Sequence, residues 1–180
     1  GKSADLDFEG RSRCRGAPEA LRPGSTGAGR DRRAPRQACG LIVRLQQKCG
    51  RAIRPGDFAA RNALDRDRFV FELDHFHQHY LRGLKGAVPG DAGEAVLKAF
   101  YVDLAEECDR MPRVYCHRDF MSRNLMVRRG RLFVIDYQDA RMGPYTYDAA
   151  SLLRDSSLDL DEALVEDCVA AAAQAAPLPA

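Results

Sequence analysis

Long apolar runs are missing from this chain of 180 residues. That excludes a membrane-spanning helix, which needs about 20 consecutive apolar residues. The N-terminus also lacks the apolar stretch of a secretion signal, so a cytoplasmic location is expected. None of the six cysteines (Cys14, Cys39, Cys49, Cys108, Cys116, Cys168) falls in a C-x-x-C pair. Their scatter argues against a zinc ribbon or a dithiol redox motif and for reduced, partly buried thiols. Neither sign of charge is in excess: 28 basic residues face 26 acidic ones, for a formal net charge of +2. Such a balance gives no basis for binding nucleic acid or an anionic membrane. What is present is the composition of a globular protein, 45% hydrophobic and 30% charged. The length suits one ordinary domain and is too short for two well-buried ones.

The average conceals a division. Residues 1–40 hold nearly a third of the basic residues, almost half of the glycines and a single aromatic, Phe8. Residues 10–40 run through Arg, Gly, Ala and Pro with no period of 2 or 3.6 and little to bury. Such a segment does not offset its own ordering entropy. It is expected to be a disordered or non-native basic leader, since a GC-rich gene read out of frame yields the same composition. Aromatic residues interleaved with the arginines would be needed for stacking on bases, and they are absent.

From Leu41 the texture changes. LIVRLQQ starts a helix that Gly50 and Pro55 interrupt. The spacing predicts a second helix from Asp65 to about Leu84, with Phe69, Leu73, Phe76 and Tyr80 as one apolar stripe. His75 and His79 lie four apart on it, a metal-compatible spacing better explained as solvated or capping histidines. Asp91-Ala-Gly-Glu94 resembles a capping box opening a third helix, with an apolar stripe at Val96/Leu97, Phe100, Leu104 and Cys108 and Pro112 beyond its end. Short strands follow at Val114–Cys116, Leu125–Val127 and Leu132–Ile135, the last two joined by a turn at Arg128–Arg131. Helical texture returns at Asp148–Arg154 and from about Asp159 to Ala176. Residues 177–180 form a tail.

The chemistry concentrates in His117-Arg-Asp-Phe-Met-Ser-Arg-Asn124 and in Ile135-Asp136, which closes the hairpin's second strand. These residue types belong together in phosphoryl transfer. A carboxylate, Asp119, is needed to accept the proton of an attacking hydroxyl. Magnesium, a hard cation, needs oxygen ligands close together. Asn124 opens one strand and Asp136 closes its antiparallel partner, so the turn returns both to one end of the hairpin.

With these residues the chain resembles the kinase-like phosphotransferases of the aminoglycoside phosphotransferase and choline kinase superfamily, most closely the bacterial anomeric kinases of N-acetylated amino sugars. The likeness lies in HRDFMSRNLMV (117–127), VIDYQDARMGPYTYDAASLLRD (134–155) and, more weakly, LDRDRFVFELDHFHQHYL (64–81). It covers roughly residues 41–176 and implies an α+β fold: a kinase-like large lobe, mainly helical, with a short β-hairpin at the catalytic loop. The resemblance implies Asp119 as catalytic base, Asn124 and Asp136 as Mg2+ ligands holding ATP as co-substrate, and Asp148 as the buried brace of the catalytic loop. His117 is expected to hold the loop backbone, Arg123 and Arg141 to neutralise the transferred phosphoryl group, and Asp139 to bond a sugar hydroxyl. Only eleven residues separate Asp136 from Asp148, too few for a peptide-docking activation segment. A small hydroxyl-bearing substrate is therefore expected, most directly an amino sugar. Another sugar, an aminoglycoside or a choline-like molecule is the alternative within the class, and a non-catalytic binding module of the same fold is the alternative outside it.

Kinases of this kind close a small lobe over ATP, with a strand lysine and a phosphate-covering loop. Lys2 and Lys48 are the only lysines before residue 85, and neither stands in an apolar strand. Gly24–Gly29 has glycines but no flanking β-branched strands. The sequence thus reads as the core of a large lobe, cut at both ends, with the small N-terminal lobe absent and doubtful activity by itself.

Overall fold

The computed structural model describes residues 15–16, 33–129 and 131–175. In chain order the elements are β1 (Arg15–Gly16), α1 (Arg33–Gly50), α2 (Phe58–Arg61), α3 (Arg66–Phe76) continued by a π-helical segment (His77–Leu84), α4 (Asp91–Arg110), β2 (Arg113–Cys116), a 3-10 turn (Ser122–Asn124), β3 (Leu125–Arg128), β4 (Arg131–Val134), β5 (Arg141–Pro144), α5 (Tyr147–Leu153) and α6 (Glu162–Ala175). The fold is mostly helical, with two small antiparallel sheets ordered β1-β3-β4 and β2-β5. No helix among the described residues is long and apolar enough to cross a membrane.

The described residues divide into two compact units. The first holds those up to Arg44, then Arg118–Asp139 and those from Asp148 on; the second holds Leu45–His117 and Ala140–Tyr147. In the first unit the core is built by Ala38, Cys39, Ile42 and Val43 of α1 with Phe120, Leu125, Leu152, Leu153, Leu164, Val165 and Cys168. Arg36 Nη2 donates to Asp167 Oδ2 at 2.9 Å. The Cys39 thiol contacts that of Cys168, and this contact together with burial pushes Cys39 far above the usual thiol range, leaving it protonated and unreactive.

Residues 33–40 correct the expectation of a leader running to residue 40. They form the start of α1, and Pro35, Ala38 and Cys39 are buried. The segment lacks a helical period of its own, but Ala38, Cys39, Ile42 and Val43 share one face of the completed helix, and Pro35 sits in the first turn, where its missing N–H is tolerated. Gly50 ends the helix as expected. The Gly24–Gly29 stretch, the rest of the leader apart from Arg15–Gly16, and the tail 177–180 lie outside the described residues.

In the second unit Asp65 caps α3, its side chain accepting from Arg68 N–H at 2.9 Å. The helix runs to Leu84 as the spacing predicts, but its buried face differs. Phe76 and Tyr80 are 45% and 41% exposed and stack on each other at 5.1 Å, while His77 is buried. Phe69 and Leu73 are half-buried and His77, at the next i+4 position, is buried, where the helix passes into a π-helical stretch. The α4 face is rotated as well: Tyr101 and Ala105 are buried, whereas Val96 and Phe100 are exposed. Its capping box does not form. Gly90 is the N-cap, and Glu94 instead lies 3.1 Å from His77 Nε2 and 3.7 Å from Arg82. Between β5 and the segment after α2 the approach is close. Leu64 N–H donates to Met142 O at 2.8 Å, and a Cβ on Gly143 would come within 2.8 Å of Leu64 Cδ1.

Candidate active site

The residues expected to carry the chemistry, Asp119, Asn124 and Asp136, lie in the first unit. The loop from Arg118 to Asn124 folds back on itself. Asn124 Nδ2 and Met121 N–H both donate to Asp119 O, each at 2.8 Å, and Asn124 N–H donates to Met121 O at 3.0 Å. Asn124 is thereby held by its amide nitrogen. Its other end, Oδ1, is the atom a hard cation takes.

The hairpin then carries Asp136 back. Leu125 pairs with Val134, and Ile135 N–H donates to Asn124 O at 3.0 Å, so the residue before Asp136 is tied to Asn124. Gly130 of its turn lies outside the described residues. Asp136 is exposed and has φ +71°, and Arg118 has φ +80°. Both are left-handed conformations that an ordinary side chain adopts at a cost, and they persist only where the surroundings fix them. For Arg118 the fixing group is Asp148, which is 1% exposed in the first turn of α5 and accepts from Arg118 N–H at 2.9 Å.

A second buried carboxylate, Asp155, grips the other side of the loop. It accepts from Ser122 N–H at 2.8 Å, Ser157 N–H at 2.9 Å and Ser157 Oγ at 2.7 Å, and the two serine hydroxyls are 2.8 Å apart. Burial pushes the Asp155 carboxyl up, but the hydrogen bonds from Ser157 and Ser122 outweigh it and hold the group below the usual carboxylate range. Sequence reasoning gave Asp155 no role. Its partners are mostly backbone groups, and the available signal was its place just past the helix that starts at Asp148.

The remaining candidates are spread more widely. Arg123 is exposed on the 3-10 turn, and Asp139 is half-buried three residues beyond Asp136. His117, 1% exposed, follows β2 in the second unit. Arg141 also belongs to the second unit, where Nη1 donates to Asn62 O at 2.8 Å and the guanidinium lies 5.3 Å from the Phe58 ring centre.

The donor set suits magnesium: one carboxamide oxygen and one carboxylate, with the remaining positions left to water and phosphate oxygens. Among the described residues no group of three or more His, Cys, Asp or Glu side chains is placed to hold a metal.

A strained HRD loop, an Asn at its end and an Asp returned by a hairpin define a kinase-like phosphotransferase. Comparison with known proteins agrees: residues 18–179 match the phosphotransferase enzyme family, and the chain belongs to it. Over 133 residues it is 34% identical to an N-acetylmuramate/N-acetylglucosamine kinase of Neisseria meningitidis serogroup B, covering 74% of this chain and 38% of that relative. A kinase of the same name from Pseudomonas putida is 35% identical over 95 residues, 53% of this chain and 28% of the relative. The matched segment spans well under half the length of these curated relatives.

Proposed function

We propose that this chain carries the catalytic end of a large kinase lobe and transfers the γ-phosphoryl group of ATP to a hydroxyl of a small molecule, most specifically the anomeric hydroxyl of an N-acetylated amino sugar. The observation that carries the reading is the hairpin tie between Asn124 and Ile135, which joins the proposed metal ligands Asn124 and Asp136 at the end of the loop that bears Asp119. The names of the relatives support the choice of sugar.

Asp119 takes the proton of the attacking hydroxyl as its oxygen bonds to the γ-phosphorus and the bond to the bridging oxygen of ADP breaks. Asn124 and Asp136 would hold magnesium, which when bound would supply positive charge to the phosphate oxygens. Arg123 neutralises charge on the transferring group, and Asp139 accepts from a sugar hydroxyl. Asp148 positions rather than reacts: it fixes Arg118 in its strained conformation and so sets the direction of Asp119. Phe133 and Ile135, both exposed on one face of the hairpin, give the nucleotide base an apolar surface leading to Asp136.

The test is ADP release from Mg-ATP in the presence of N-acetylmuramate or N-acetylglucosamine. Sugar-dependent release that disappears in Asp119→Ala is expected. Background release from a folded sample that Mg-ADP nonetheless stabilises against heat would overturn the catalytic reading and leave a nucleotide-binding one.

A further inference from the structure

At the turn end of the same hairpin, about 13 Å along the strands from Asn124 and Asp136, lies a feature the reaction does not use. Arg36, Gly40 and Arg44 succeed one another at one-turn intervals on α1, and with Gln37 they face Arg131 and Leu132 at the start of β4. Together these six residues line a groove of about 550 Å³.

Gly40 is the informative residue. Glycine is among the poorest formers of a helix interior, so its presence there calls for a reason. Packing does not supply one, because a Cβ at Gly40 would meet no atom within 4 Å. Its backbone is helical, so no special conformation requires it. What the missing side chain does is leave an open floor between two guanidinium groups.

The charges are also arranged for an anion. Arg36 shares its guanidinium with Asp167 at 2.9 Å. Among the described residues no carboxylate lies within 4 Å of Arg44 or Arg131. Guanidinium forks match phosphate oxygens two at a time. No aromatic ring lines the groove to stack a base, which disfavours a polynucleotide.

We propose that this groove is a second, noncatalytic anion site that takes a small phosphate-bearing molecule: Arg44 and Arg131 grip the phosphate over the Gly40 floor, and Arg36 adds charge from one side.

Inorganic pyrophosphate without magnesium is the probe, measured by titration calorimetry and by melting temperature at low ionic strength. Binding is expected, with at least tenfold weakening in the double variant Arg44→Gln/Arg131→Gln and loss in Gly40→Glu, which sets a carboxylate between Arg36 and Arg44. Gly40→Ala should bind and melt at least as high as the parent, and Asp136→Asn should bind as the parent does. Parallel titrations with a hexosamine 1-phosphate and with ADP separate a sugar-phosphate ligand from a nucleotide. The proposal fails if chloride at matched ionic strength stabilises equally, if the arginine double variant binds like the parent, or if Asp136→Asn abolishes binding.

Discussion

Both units bury polar side chains, but to different ends. In the first, Asp148 and Asp155 each accept from a backbone N–H of the loop, at Arg118 and Ser122, and Asp155 accepts from the N–H and hydroxyl of Ser157 as well. In the second, His77 is flanked by side chains alone, Glu94 at 3.1 Å and Tyr101 OH at 3.3 Å. Bonds to backbone dictate the path of a chain; bonds between side chains of two helices dictate only their register. The first unit can therefore hold Arg118 in a costly conformation at the start of the loop that bears Asp119, the proposed base.

The largest effect should come from the group that contributes least to the fold. Asp119→Asn removes the proton acceptor and should lower sugar phosphorylation about 10²–10⁴-fold with no change in melting temperature. A comparable fall in melting temperature would mean that Asp119 is a structural residue and that the division between supporting and reacting carboxylates is wrong.

Behind the loop the balance reverses. Asp148→Ala leaves the half-buried Arg118 N–H without its acceptor and removes a buried carboxylate, and should cost about 2–3 kcal/mol. For a chain of this size that is a drop of very roughly 4–12 °C, together with loss of activity. In the second unit His77→Ala should cost about 2 kcal/mol from lost packing and from the polar groups it leaves behind. Because its partners are side chains, the loop amides should keep their hydrogen-exchange protection in His77→Ala and lose it in Asp148→Ala. Equal loss in both would erase the contrast between the two kinds of burial.

Asp155 gives the contrast a pH signature. Its carboxyl is held below its ordinary range, so its contribution is present above the unfolded value near 4 and is lost as pH falls through the lowered folded value. Asp155→Asn should cost about 1 kcal/mol at neutral pH. The gap to the parent should close as pH falls below about 4. Melting curves across that range decide it, and a gap that stays constant would show that charge on Asp155 is not what holds Ser122 and Ser157.

The juxtaposition of Asn124 and Asp136 was legible in the sequence because rigid geometry links spacing to place. A tight hairpin of fixed strand length must return Asp136 to Asn124, whatever the side chains between. Asp148 was reached through resemblance, and Asp155 was not reached, since a carboxylate that binds mainly backbone N–H groups leaves no partner residue type to look for. The onset of α1 was missed because Arg33–Gly40 has no apolar period until Ile42 and Val43 complete its face. Helix faces were misread where two large apolar residues are adjacent, as at Phe100 and Tyr101, so that a rotation of one position exchanges inside for outside.

The smallest effect tests that last error directly. A regular helical stripe through Phe69, Leu73, Phe76 and Tyr80 would bury the Phe76 ring, and truncating a buried ring costs about 3–5 kcal/mol. In the structure His77 faces inward instead and Phe76 is 45% exposed against Tyr80. Phe76→Ser then removes only a half-exposed ring contact, and its cost should stay near 0.5 kcal/mol, as for other surface substitutions. Thermal denaturation of Phe76→Ser beside His77→Ala therefore reports which residue faces the core. A larger loss at Phe76 than at His77 would restore the regular helix and displace His77, with Glu94 and Tyr101, from the interior.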